Sequence, residues 1–213
     1  MTARHVFNWS RRRSSGITVT EMLIAVAILA VLAAIAAPNL QSLFINNRLE
    51  TANSEFIAAL NVARSEAIRR GARVAVRRVA TTTQNWTEGW EVFVDVDRNG
   101  IRDTGNPQEE LIRVGQRLAP SLTLYSSAIV ATVVPFDPDG RIPITLDDGN
   151  NPLSPRATFV LCYDGVLSEG TRSRSRAVLL NSAGRARPGV DANNDGRPEN
   201  ASGGDIRYCT NPT

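Results

Sequence analysis

Five arginines and no acid lie between Glu169 and Asp191: Arg172, Arg174, Arg176, Arg185 and Arg187. A guanidinium stays charged throughout the physiological range and can fork two N–H donors onto one phosphate. On an extended segment, Arg172, Arg174 and Arg176 project to one side about 7 Å apart, a spacing comparable to successive phosphates along a nucleic-acid strand. Arg185 and Arg187 repeat the interval after Gly184, and Pro188 stiffens the backbone just beyond them. Such a strip grips backbone phosphate without reading sequence, and salt weakens it steeply. Composition supports equally a solvated loop whose arginines pair with Asp191, Asp195 or Glu199. Tyr163 and Tyr208 are the only nearby aromatics, which favours duplex or phosphate-dominated contact over base stacking.

Other chemistry has little to draw on. The single histidine is His5, near the N-terminus, and all 24 basic residues are arginine. With the cysteines paired, few nucleophile–base combinations remain, so no catalytic residue and no small-molecule substrate are expected. Asp95, Asp97, Asn99 and Gly100 have the spacing of a calcium loop, as do Asp191, Asn193, Asp195 and Gly196. The twelfth positions are Asn106 and Ser202, so the bidentate glutamate is missing from both, and Asn-Gly and Asp-Gly pairs serve hairpin turns equally well. Both loops are read as turns, with no metal and no cofactor. Cys162 and Cys209 form an even pair in the part of the chain beyond the apolar segment, and in an exported domain such a pair reads as a disulfide.

The elements that must position these groups begin with a 21-residue apolar run, ITVTEMLIAVAILAVLAAIAA, over residues 17–37. As a helix it is about 31 Å long, enough to cross a bilayer's hydrocarbon core. Arg11, Arg12 and Arg13 precede it and place that end in the cytoplasm by the positive-inside rule. Those three and Arg4 make the first 16 residues basic, leaving 20 basic residues against 21 acidic ones, so any basic site must be local. Glu21 puts a carboxylate five residues into the apolar run, at a cost of a few kcal/mol unless it finds a partner. Gly16 offers a small-residue cleavage point before the run. Cutting there would leave an ammonium on Ile17 that could neutralise Glu21 of a neighbouring helix.

Beyond Pro38, which should kink the helix, apolar residues continue at helical spacing through Leu40, Phe44, Leu49, Ala52, Phe56, Leu60, Ala63 and Ala67 to a stop at Gly71. Alternating runs come next over residues 73–79, 90–96, 111–114, 122–125, 129–136, 157–163 and 176–180, predicting a β-rich head.

SSGITVTEMLIAVAILAVLAAIAAPNL, residues 14–40, resembles the class III signal of type IV pilins and type II secretion pseudopilins. Gly16, Ile17 and Glu21 match that pattern by position, and Pro38 matches the proline that lies beyond it. Ile17 stands where phenylalanine is usual, and Thr20 where an apolar residue is common. The resemblance implies cleavage after Gly16 by a prepilin peptidase, N-methylation of Ile17, retention in the bacterial inner membrane and assembly with other pilins through Glu21 and Pro38. Trp86, Gly89-Trp90 and the adjoining VFVDVDRNG resemble the family that groups the minor pilin FimT with the H-type minor pseudopilin GspH. The implied architecture is α+β and type IV pilin-like. It comprises a leader (1–16), a transmembrane helix (17–37), its amphipathic continuation (38–70) and a periplasmic β-rich head of antiparallel sheets (71–213). Gly184-Arg185-Ala186-Arg187 is similar to the GRxR motif of DNA-binding FimT proteins, which act in DNA uptake for natural transformation. This implies DNA as a partner of Arg185 and Arg187, helped by Arg172, Arg174 and Arg176. The alternative is an H-type pseudopilin of a type II secretion system, or a structural subunit that primes a pilus.

Overall fold

A computed structural model describes residues 16–80, 82, 84–143, 157–170, 172–210 and 212. Two compact units divide the chain, Met1–Leu43 and Phe44–Thr213. The leader arginines Arg4, Arg11, Arg12 and Arg13 lie outside the described residues, as does the side chain of Pro38.

Helix α1 runs Val19–Arg70. In the first unit, Gly16 and Ile17 are exposed ahead of it, and every residue from Gly16 to Ala37 is exposed. Thr18 Oγ1 accepts the Glu21 N–H at 3.2 Å. That contact satisfies a free donor of the first turn, and Glu21 itself sits where the helix dipole favours negative charge. Glu21 therefore helps start the helix as well as carrying charge into an apolar surface. At the other end Arg69 and Arg70 close the last turn. Hydrogen bonds from Arg69 and Arg70 hold the Glu66 carboxyl down to about 2, and Arg70 also pairs with Glu110 at 2.7 Å.

In the second unit the helix buries Leu49, Ala52, Phe56, Ala59, Leu60, Ala63 and Ala67. Alanine at four of those seven positions brings backbone close to whatever covers it. Leu40 and Phe44, expected on the same stripe, are exposed. The buried stretch begins only at Leu49.

Ten strands come after the helix among the described residues. One antiparallel sheet has the order β3-β2-β1-β5, formed by Leu111–Gly115, Trp90–Val94, Val74–Arg78 and Val133–Phe136. The second has the order β10-β9-β6-β4, formed by Ala186–Pro188, Ser175–Leu180, Ala157–Tyr163 and Leu122–Ser126. Strands β7 (Ser168–Glu169) and β8 (Arg172–Ser173) make a small ribbon. The run expected as one strand over 129–136 is divided: Ala128–Val130 is a 3-10 turn and only Val133–Phe136 is extended. Val130 is buried by that turn, and its carbonyl accepts the Ser126 hydroxyl at 3.1 Å.

Alternation along the second sheet separates two apolar layers. Leu122, Leu124, Phe159, Leu161, Val178 and Leu180 join the helix residues in the main core. Val160, Cys162, Ala177 and Leu179 form a second cluster with Ile206 and Cys209 from the C-terminal tail. In the main core the Phe56 ring meets Trp86, Trp90 and Phe159 edge-on at 5.7, 4.9 and 4.7 Å. Each such aromatic pair contributes about 1 kcal/mol beyond its area. Trp86 Nε1 donates to Ser126 Oγ at 3.1 Å, so this indole is both buried and satisfied.

Cys162 and Cys209 are disulfide-bonded with Cα atoms 6.1 Å apart, as expected. The bond ties the tail to the back of the second sheet across a sequence separation of 47, and closing a loop of that length is worth about 4 kcal/mol in the chain-entropy account. Replacing both cysteines by serine is expected to lower unfolding free energy by about 2–4 kcal/mol and to open the tail beyond Pro188 to protease; denaturant titration with limited proteolysis checks this.

Candidate nucleic-acid interface

The fold separates the four arginines whose side chains are described, Arg174, Arg176, Arg185 and Arg187. Arg174 bonds Glu169, and its guanidinium lies over the Tyr163 ring, 5.7 Å from the centroid. Tyr163 is thereby covered by a cation rather than open to a base. Arg176, on β9, reaches the helix: Nε lies 3.4 Å from Glu50 Oε2 and Nη2 lies 3.4 Å from Asn46 Oδ1. Arg172 falls on β8, and its side chain lies outside the described residues.

Arg185 and Arg187 are elsewhere. Strand β10 is an edge strand paired with β9 in the register Ala186↔Leu180, Arg187↔Leu179 and Pro188↔Val178. Directly opposed residues share a face. Ala186 therefore turns with Leu180 toward the helix core, where it packs, and Arg187 turns with Leu179 toward the tail side. Arg185 lies just before the strand, directly after the Gly184 turn. Both arginines are exposed and make no side-chain ion pair or hydrogen bond among the described residues.

The expectation of one continuous strip is thus corrected. Arg174 is held by Glu169 and Tyr163 and Arg176 by the helix, whereas Arg187 turns to the tail side. The acids of the solvated-loop reading, Asp191, Asp195 and Glu199, pair with none of these arginines among the described ion pairs; the acids that do pair are Glu169 and Glu50. Arg187 lines a groove of about 570 Å³ with Leu179, Asn181, Val190, Asn200 and Ser202. Glu199 lies in the same wall, and one of its oxygens accepts the Ala192 N–H at 2.7 Å. Tyr208 remains exposed.

Gly184 sets the position of the pair. It has φ +71°, and a Cβ there would lie 2.1 Å from the Gly140 carbonyl oxygen. That carbonyl and the Ala183 carbonyl both accept Arg64 Nε, at 3.0 and 3.2 Å. The Ile142 N–H adds a bond to Ser182 O at 3.2 Å. One helix guanidinium thus fastens the turn that launches β10, and only glycine fits beneath it. Strand β10 itself was missed in the sequence; three residues with a proline at the edge carry too little alternation to be read, and the Gly184 turn was the one available signal.

The two loops with calcium-like spacing differ. In the second, both Asp191 oxygens accept backbone N–H groups, from Asp195 at 3.1 Å and Gly196 at 2.9 Å, which makes a turn as expected. In the first, Asn99 N–H and Ile101 N–H are likewise bound by Asp97 and Asn99 side chains.

A family model described as type II transport protein GspH matches residues 52–184, more than half of the chain, and the prokaryotic N-terminal methylation motif matches residues 11–37. No curated protein sequence gives a significant match. Among solved structures, the type IV minor pilin FimU of Pseudomonas aeruginosa strain PAO1, in space group P21, is similar at 22% identity and a TM-score of 0.51, covering 77% of this chain and 96% of that one. Its P65 crystal form gives 20% identity and a TM-score of 0.49, over 76% and 99% of the two chains. The likeness to the P21 form is one of fold: a long N-terminal helix packed on antiparallel sheets.

Gly184→Ala is expected to cost about 2 kcal/mol or more, since the left-handed conformation and the clash with the Gly140 carbonyl add together. Urea unfolding of the head measures it.

Proposed function

Because the chain belongs to the GspH family and carries the N-terminal methylation motif, it is a pilin-like minor pilin or pseudopilin, and we propose that it is a FimT-type minor pilin whose head binds DNA backbone through Arg185 and Arg187. The observation that carries this reading is the pair itself: two exposed arginines two residues apart, Arg187 on the edge strand β10 and Arg185 just before it, with no acid bonded to either among the described residues. Their contact is with phosphate, independent of base sequence, and it serves DNA uptake in natural transformation. Arg174 and Arg176 contribute at most longer-range field, since they are already engaged with Glu169 and Glu50.

At the other end, a prepilin peptidase cuts after Gly16 and Ile17 becomes the methylated N-terminus. The arginines of residues 11–13 keep that side cytoplasmic and leave the head in the periplasm. The new ammonium of Ile17 neutralises Glu21 on a neighbouring subunit's helix, and Pro38 shapes the joint used in assembly. The role is one of assembly and electrostatics, without a catalytic residue or cofactor.

A second reading, an H-type pseudopilin of a type II secretion system that contacts only other pilins, is favoured by one observation. The family match ends at residue 184, just before the two arginines.

Residues 44–213 suit the binding test, because the described core lies wholly within them and they omit the leader arginines that would bind DNA on their own. Fluorescence anisotropy with a short duplex is expected to give a Kd on the order of 10⁻⁵ M at physiological salt. Arg185→Gln with Arg187→Gln should weaken binding at least about tenfold and reduce the slope of log K against log salt by about 2. Arg174→Gln with Arg176→Gln should change affinity by less than about threefold on the same scale. Unchanged affinity in the first double variant would favour the pseudopilin reading.

A further inference from the structure

The loop between β2 and β3 brings together three carboxylates that the sequence pattern did not connect. Asp95 directly follows β2, Asp97 lies two residues on, and Glu109 arrives from the far side of the loop just before β3. One oxygen from each lies within 4.8 Å of the others. Two oxygens bound to one Ca²⁺ at about 2.4 Å can be at most about 4.8 Å apart, so the three fit a single ion's coordination sphere.

Burial supplies the independent evidence. Asp95 is 1% exposed and Glu109 is 3% exposed. Asp95 Oδ1 accepts the Gly100 N–H at 3.2 Å, and Glu109 Oε2 accepts the Asp103 N–H at 2.6 Å. Asp95 Oδ2 and Glu109 Oε1, by contrast, are buried without a hydrogen-bond donor among the described residues. Two buried carboxylates, each with an oxygen that has no hydrogen-bond donor among the described residues and each within 4.8 Å of the other and of a third carboxylate, constitute an arrangement that repels itself unless a cation or a proton lies between them. The Arg73 guanidinium is bonded to Asp137, at 3.0 Å.

We propose that Asp95, Asp97 and Glu109 form a divalent-cation site, selective for Ca²⁺, that ties the β2–β3 loop to the sheet. Oxygen-only ligands exclude a preference for soft metals, and a loop with side-chain ligands on both arms suits the larger, more flexible coordination of Ca²⁺ over the strict octahedron of Mg²⁺. The twelfth position of the calcium-like spacing holds Asn106, and it is the loop's return that brings Glu109 beside Asp95 and Asp97. Asn99 donates from Nδ2 to Asp97 Oδ2 at 2.5 Å, which helps order the turn. The site lies on the first sheet, whereas Arg185 and Arg187 flank and join the edge strand of the second, so its test is independent of DNA binding.

The full-length chain in detergent micelles, stripped with a chelator and desalted, is titrated calorimetrically with CaCl₂ and separately with MgCl₂. One Ca²⁺ per chain is expected, with a Kd on the order of 10⁻⁴ M and at least about tenfold weaker Mg²⁺ binding. Glu109→Gln should abolish binding in the millimolar range. Asp97→Asn, at an exposed position where loss of fold is not at issue, should weaken it at least about tenfold, and Asp103→Asn, outside the set, should leave it unchanged. The proposal is overturned by no saturable Ca²⁺ binding in the millimolar range, which would leave a shared proton as the neutralising group. It is overturned equally by Mg²⁺ binding as tight as Ca²⁺, or by Ca²⁺ binding that survives both Asp97→Asn and Glu109→Gln.

Discussion

The burial of one helix face against two sheets is the constraint on which the head depends. Phe56 stands at its centre, edge-on to Trp86, Trp90 and Phe159, and so touches side chains from both sheets and from the loop before β2. Alanines at 52, 59, 63 and 67 let the sheets come close on either side of that ring. The helix changes pattern along its length, exposed and largely apolar over residues 17–37 and one-sided from Leu49 onward.

The same helix organises the outer features. Arg64 spends its Nε on two carbonyls, Gly140 and Ala183, and in doing so sets the turn from which β10 leaves. Because β10 pairs in a fixed register with β9, one residue of alternation decides that Ala186 enters the core while Arg187 does not. Arg176 has the opposite fate for the same reason, since its place on β9 turns it toward Glu50 and Asn46. Arginines that look alike in sequence are separated by the pleat into structural and available ones. The tail, held by the Cys162–Cys209 bond, covers the back of the second sheet and supplies the other wall of the groove beside Arg187.

Much of this was legible in the residues. Glycine, glutamate and proline in register with an apolar run identified the N-terminal segment, and period-two runs located most of the longer strands. The legible features were local. The features that escaped depended on long-range return of the chain: the short strands β7, β8 and β10, the division of 129–136 by a 3-10 turn, and the engagement of Arg176 by a helix 126 residues away. Glu109 escaped for the same reason, since no fixed spacing anticipates which loop residue closes on Asp95. The extent of the helix stripe was overestimated at Leu40 and Phe44, because periodicity reports a face without reporting whether anything covers it.

The central claim is that the pleat leaves Arg185 and Arg187, and not Arg174 and Arg176, free to meet phosphate. Arginine Nε–Hε resonances of the head, followed by NMR during titration with a short duplex, test it most directly. The account predicts shifts confined to Arg185, Arg187 and the neighbouring groove, with the Arg174 and Arg176 signals unmoved. Shifts centred on Arg174 and Arg176, or no shift at any of the four, would contradict it.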